Sequence, residues 1–272
     1  MIQPRQVLTL AAKEFRDRLR NRWVLAVALV FAVFSLVITY AGGAQQGTVG
    51  LRSLEFTITS LVSLVIYLVP LIALLLGFDA IVGERERGSL DLLLAYPITR
   101  SELLLGKYAG LALALALAML TGLAAVGVLL VMQFGHEAIF HYAGFVISAL
   151  MMGLAFLSLA ILVSVLARDR TRASGAAIIL WFLFVLVFDL VLLGVLVATA
   201  GHYGGEIFPY LLLFNPTDVF RILNVFSMED VKSAYGLINV VPPILSHIGV
   251  LTGVMLGWIA VPLMIANWRF KP

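Results

Sequence analysis

The chain contains no cysteine, which excludes disulfides, thiolate metal centres and thiol nucleophiles. Charge is scarce as well. Asp, Glu, Lys and Arg make up 12% of the 272 residues, about half the share of a soluble domain. So little polar surface cannot cover a water-exposed globule of this length, so an integral membrane protein is expected. No Gly-x-x-x-x-Gly-Lys-Ser/Thr loop occurs, so ATP is expected to bind elsewhere if it powers this chain. The sequence shows neither a solenoid repeat nor the paired interrupted helices of an inverted-repeat, ion-coupled transporter.

Apolar residues are abundant, at 62% of the chain, and mean hydropathy is +1.08. Crossing a bilayer takes about 20 apolar residues. Six runs qualify: Trp23–Tyr40, Phe56–Phe78 with Pro70 inside, Leu103–Phe134, Tyr142–Ala167, Ala173–Ala200 with Asp189 inside, and one within Ile244–Trp268 containing Pro262. None alternates with period two, so helices rather than barrel strands are expected. The expected fold class is an all-α integral membrane protein with six transmembrane helices, forming a single permease domain over 1–272. No small-residue cleavage site follows the first run, which therefore reads as an uncleaved span.

Lys and Arg set the orientation. Fifteen of the eighteen fall in four places: before the first run (Arg5, Lys13, Arg16, Arg18, Arg20, Arg22), after the second (Arg85, Arg87, Arg100, Lys107), after the fourth (Arg168, Arg170, Arg172) and in the tail (Arg269, Lys271). Only Arg52, Arg221 and Lys232 fall on the other side. Both termini are thus expected in the cytoplasm, with loops 42–55, 133–141 and 201–243 outside. The net charge of +3 follows from topology, and no nucleic-acid partner is expected. Ahead of the first span, "RQVLTLAAKEFRDRLRNR" repeats Val7, Leu8, Ala11, Phe15 and Leu19 at helical spacing between basic residues. Over 4–22 it reads as an amphipathic helix lying on the inner membrane surface.

The most charged passage, "GERERGSLDLLLAYPITRSELLLGK" (83–107), lies between two spans. Its leucines are too apolar for a free loop and too few to span. A short helix with Ser89 as cap and Pro97 as stop is expected, held at the cytoplasmic face within the region 79–100. In the long outer loop, "PTDVFRIL" predicts another short helix, with Thr217 or Asp218 as cap. Asp189 sits alone among apolar residues, where ionisation costs on the order of 3 kcal/mol at the bilayer centre. It reads equally as part of a transport path or helix–helix lock, and as a residue near the outer end of its span. A membrane-embedded enzyme would need a second catalytic group beside it, so no catalytic residues are expected. His136 and His141 stand five apart in an outer loop, but no Met-x-x-Met pattern accompanies them, and no metal site is expected on this chain. Gly249, Gly253 and Gly257 share one helical face and suit close helix packing.

The basic amphipathic "KEFRDRLRNRW", followed by "ERERGSLDLLLAYPITRSELLLGK" between spans two and three, resembles the permeases of the second class of ABC exporters. The likeness covers essentially the whole chain. It implies a coupling helix between spans two and three, with Glu84, Arg85, Glu86, Arg87, Gly88, Ser89 and Asp91 contacting a separate cytoplasmic ATPase that holds ATP and Mg. "WFLFVLVFDLVLLGVLV" and "LLLFNPTDVFRILN" resemble a narrower subgroup, the permeases of accessory transporters that serve copper-centre maturation of nitrous oxide reductase. That likeness implies a homodimer, two ATPase copies, a periplasmic partner and a copper chaperone acting through that partner, at the bacterial inner membrane. Asn215, Pro216, Thr217, Asp218 and Arg221 are the expected periplasmic docking residues. Export of a lipid, peptide or drug by a permease of the same class is the alternative.

Overall fold

The computed structural model describes residues 3–20, 22–41, 54–136, 138–198, 208–225 and 247–270. Every element among them is helical. Helix α1 (Pro4–Arg20) leads into α2 (Trp23–Ala41). Then come α3 (Leu54–Gly77), two short helices α4 (Val82–Glu86) and α5 (Ser89–Leu94), and the long α6 (Arg100–Phe134) and α7 (Ala138–Leu166). The fifth apolar run forms α8 (Arg170–Phe182), a π-turn (Leu183–Val187) and α9 (Phe188–Ala198). Short α10 (Phe208–Leu211), a 3-10 turn (Leu212–Phe214) and α11 (Pro216–Val225) precede the last helix, α12 (Ile248–Arg269).

Five segments are long and apolar enough to cross a membrane: Phe56–Glu86, Arg100–Phe134, Ala138–Leu166, Arg170–Ala198 and Ile248–Arg269. Pro4–Arg20 and Val24–Tyr40, bent by 64°, make a sixth when taken together. The bend separates a basic amphipathic helix from an apolar one. Pro70 and Pro262 lie inside α3 and α12, as membrane helices tolerate when neighbours satisfy the freed backbone.

The core runs along α3, α6 and α7, and its largest fully buried side chains include Phe31, Phe145, Phe156 and Phe220. Phe184 stands edge-on to Phe156 at 5.8 Å and to Trp258 at 5.6 Å, which ties the π-turn to α7 and α12. Trp181 and Trp258 each donate an indole N–H to a backbone carbonyl, of Tyr67 and Leu213, both at 3.0 Å. They are bundle anchors, whereas Trp268 is exposed and stacks under Arg269 at 4.6 Å.

Close helix approach occurs between α1 and α6. A Cβ at Gly106 would lie 2.6 Å from the Leu10 Cβ, and one at Gly110 would lie 2.6 Å from the Ala11 carbonyl and the Glu14 Cβ. This small-xxx-small pair lets α1 lie directly on α6. Gly249, Gly253 and Gly257, by contrast, face open space within the described residues. α6 also begins earlier than its apolar run. Thr99 and Glu102 form a capping box, with the Thr99 N–H donating to Glu102 Oε2 at 2.7 Å. The local signal was Thr-x-x-Glu ahead of an apolar run.

Candidate functional site

At the end of the bundle where Lys and Arg cluster, α4 and α5 sit between the end of α3 and the start of α6. Gly88 joins them with φ 69°, a left-handed conformation that glycine adopts without strain. Gly88, not Ser89, occupies the cap position of α5; the Ser89 hydroxyl donates to the Glu84 carbonyl at 3.3 Å. No side chain of its own caps α4 either. Ser164, from the end of α7, accepts from the Ile81 and Val82 N–H groups at 2.9 and 3.0 Å. Those donors would otherwise be orphaned at the helix start.

Several charged residues of this segment are engaged by neighbouring helices. Lys107 is 5% exposed. Its ammonium lies 2.8 Å from Glu84 Oε1 and 3.1 Å from Glu14 Oε2, and Glu14 also pairs with Arg18 at 3.1 Å. Burial alone would raise the Glu14 carboxyl, but the Lys107 and Arg18 charges outweigh it and hold the carboxyl below its usual value. One ammonium thus pins α1, α4 and α6 together. Arg85 donates to the Ala167 carbonyl at 2.9 Å, capping the end of α7. Glu86 accepts from the Arg170 N–H at 2.7 Å at the start of α8, and the Arg170 guanidinium meets Asp79 at 2.7 Å. Arg87 returns to the Gly83 carbonyl at 2.9 Å. The Gln3 N–H, just ahead of α1, donates to Glu102 Oε1 at 2.5 Å, and the Gln6 side-chain amide of α1 donates to the Pro97 carbonyl at 3.0 Å. A polar cleft of about 420 Å³ opens beside these pairs, between α1, α4, α6 and α8.

Of the seven residues singled out in this segment, Glu86, Arg87, Gly88 and Asp91 are exposed. Leu92 and Tyr96 lie beside them, 69% and 66% exposed. Neither is among the expected contact residues. Leucine and tyrosine in a mostly apolar chain carry no signal until the fold shows which of them lack a neighbour. Leu90, on the other side of α5, is buried.

At the opposite end the two segments that carried the narrower likeness meet. The π-turn presents the Phe184 carbonyl to the Asn215 amide at 2.8 Å and to the Thr217 hydroxyl at 3.3 Å. One turn further on, Asp189 pairs with Arg221 at 3.0 Å, and Arg221 also pairs with Asp218 at 2.7 Å. Burial, ahead of the neighbouring Asp189 charge, pushes the Asp218 carboxyl up to about 7 against the pull of Arg221. The cap of α11 is Asn215, whose side-chain oxygen accepts from the Thr217 N–H at 3.0 Å, in place of the expected Thr217 or Asp218. Pro216 takes the first helical position, where a missing N–H costs nothing. Asn215, Pro216, Thr217 and Asp218 are buried and Arg221 is 40% exposed on its side chain, so only Arg221 offers a side chain outward. Asp189 is not alone: it belongs to a lock between the fifth span and α11.

A pocket of about 200 Å³ lies nearby between α3, α7, α11 and α12, lined by residues including Ile58, His141, Phe145, Ser148, Asn224 and Ile248. Among the described residues no three His, Asp or Glu side chains converge as metal ligands do. His136 and His141 are both exposed; His202, Glu229 and Asp230 lie outside the described residues.

A helical bundle with several apolar spans, a basic amphipathic lead-in and a short-helix pair held between two of the spans is the architecture of a multi-span membrane protein. The chain matches the ABC-2 family transporter protein model over residues 8–272 and belongs to that family, as a membrane component rather than the ATPase. It is NosY-like. It is 44% identical over 270 residues, 98% of both chains, to the Probable ABC transporter permease protein NosY of Stutzerimonas stutzeri. Identity is also 44% over 269 residues, 97% of this chain and 98% of the relative, to the protein of the same name from Pseudomonas aeruginosa.

Proposed function

We propose that this chain is the permease of a NosDFY-type accessory transporter at the bacterial inner membrane, with both termini in the cytoplasm. It works as a homodimer in the maturation of the copper centres of nitrous oxide reductase. Near-full-length identity to two NosY permeases supports this reading most directly. Its task is to carry the motion of a separate, NosF-like ATPase dimer, which holds ATP and Mg, across the membrane to a NosD-like periplasmic partner. A copper chaperone would act through that partner. The 15-to-3 distribution of Lys and Arg supports the orientation.

The region 79–100 is the coupling element. Its outward face, formed by Glu86, Arg87, Gly88, Asp91, Leu92 and Tyr96, is the surface offered to the ATPase. Glu84 and Arg85 fix that surface to the spans, and Ser89 ties α5 to α4. A push on α5 reaches α6 through Glu84–Lys107, α7 through Arg85, and α8 through Glu86 and Asp79. At the far end, Asp189 and the Phe184 carbonyl tie the fifth span to α11. The docking role of Asn215, Pro216, Thr217, Asp218 and Arg221 is then to hold a ledge in the region 201–243 in place, with Arg221 as its exposed charge. The apolar faces of the fifth span and α12, open in a single chain, suit a second copy.

Leu92→Asp and Tyr96→Ala test the reading, because both sites are exposed and neither contributes to the ion pairs. Each variant should insert normally and lose co-purification with the ATPase by about tenfold or more, the loss expected for a contact worth at least 1.4 kcal/mol. Undiminished ATPase recovery with both variants would refute the coupling surface.

A further inference from the structure

Helix α1 has three faces. At about 100° per residue, Val7, Leu10, Ala11 and Glu14 form one row, and it is this row that packs on α6 through Gly106 and Gly110. Leu8, Ala12, Phe15 and Leu19 form a second row, centred about 120° away, with Leu8 69% and Leu19 37% exposed. Arg5, Thr9, Lys13, Arg16 and Arg20 form the third, centred about 90° from the apolar row on the side away from α6. All five are exposed. Thr9, Lys13, Arg16, Asp17 and Arg20 line an open space of about 670 Å³.

These angles decide what the basic row can meet. With the apolar row turned into the acyl layer, the direction facing the cytoplasm is occupied by Gln6 and Asp17, about 150–170° from that row. Lys13 and Arg20, at the boundary between that direction and the basic row, also border the polar cleft beside Asp79, Glu84 and Arg170. Arg5, Thr9 and Arg16 point sideways, away from α6, and with the apolar row in the acyl layer the row as a whole lies at the depth of the headgroups. Basic clefts at that depth suit acidic headgroups. Asp17 offsets one charge, and the three cations lining the open space leave it with a net positive charge.

We propose that Lys13, Arg16 and Arg20 form a docking surface for anionic phospholipid headgroups of the leaflet on which α1 lies. This rests on the reading of α1 as an interfacial helix. Because Glu14 of the same helix is bound to Lys107 and through it to Glu84, lipid held by the basic row fixes the platform against which the coupling element moves.

The test uses the full chain in vesicles of equal parts phosphatidylcholine and phosphatidylglycerol, extracted gently and analysed for retained lipid by native mass spectrometry. Wild type should retain phosphatidylglycerol preferentially. The triple variant Lys13→Gln/Arg16→Gln/Arg20→Gln should lose that retention by about tenfold or more, with phosphatidylcholine unchanged. Arg168→Gln, a basic residue at the same end but off α1, should retain it. Millimolar inorganic phosphate should not displace the lipid. A nitroxide on Leu8→Cys reports the underlying reading separately, through its depth in the bilayer. A Leu8 label among the acyl chains with equal lipid retention by wild type and triple variant overturns the lipid proposal and leaves the interfacial helix standing. A Leu8 label in water overturns both. Displacement by phosphate, or loss of a bound soluble protein instead of lipid, also overturns the proposal.

Discussion

Lys107 holds two carboxylates from distant parts of the chain, and its own exposure is 5%. Removing one partner of a buried ionic group leaves the others uncompensated, at about 3–5 kcal/mol. Lys107→Met should therefore lower the unfolding midpoint in detergent by several degrees, and Lys107→Met/Glu84→Gln should recover part of the loss, because Glu14 keeps Arg18. An unchanged midpoint in the single variant would show that the pairs contribute nothing. The Glu14 carboxyl is held below its unfolded value. Its stabilising share is thus full at neutral pH and is lost as pH falls through the folded value. The residue types at this end could be read from the sequence, but their partners could not. Glu84 and Arg85 looked like solvated contacts for another protein. Their actual partners are 23 and 82 residues away, and only the packing of α4 against α6 and α7 selects them.

The attachment of α1 to α6 depends on two missing side chains. Gly110→Leu has nowhere to place its side chain, because the Ala11 carbonyl and Glu14 are already in contact range. Overpacking of this kind costs about 1–3 kcal/mol. Amide exchange over residues 4–20 should accelerate by about tenfold or more, whereas Gly253→Leu, which meets open space, should leave it unchanged. Equal exchange in both variants would mean that α1 is not held there. The spans were legible to within a few residues because their apolar runs are long. The helix Ser89–Leu94 was legible from its leucines and Pro97. The π-turn was not. An apolar run reads alike with either hydrogen-bond spacing, and what uses the Phe184 carbonyl is Asn215, 31 residues further on. The glycine face of α12 is a genuine sequence pattern with no partner among the described residues, while Gly106 and Gly110 went unread at the edge of a charged passage.

Taken whole, the chain has a knot of ion pairs at its basic end, a lock at the other, and continuous helices between them. α6 alone, at 35 residues, spans about 50 Å at 1.5 Å per residue. Its length exceeds what the hydrocarbon requires, and its first turns carry α1 and, through Lys107, α4. This architecture suits force transmission from one face of a membrane to the other. The absence of cysteine makes single-site labelling clean. The most direct test places a spin label at Tyr210→Cys, an exposed position on α10, in the chain purified with the proposed ATPase partner. Distances between the two copies of the proposed homodimer are then measured by pulsed electron resonance with and without ATP. The distance distribution should shift on ATP binding, and Leu92→Asp should abolish the shift while the permease stays folded. A distribution that stays the same with and without ATP, in a complex that still hydrolyses it, would contradict transmission through this chain.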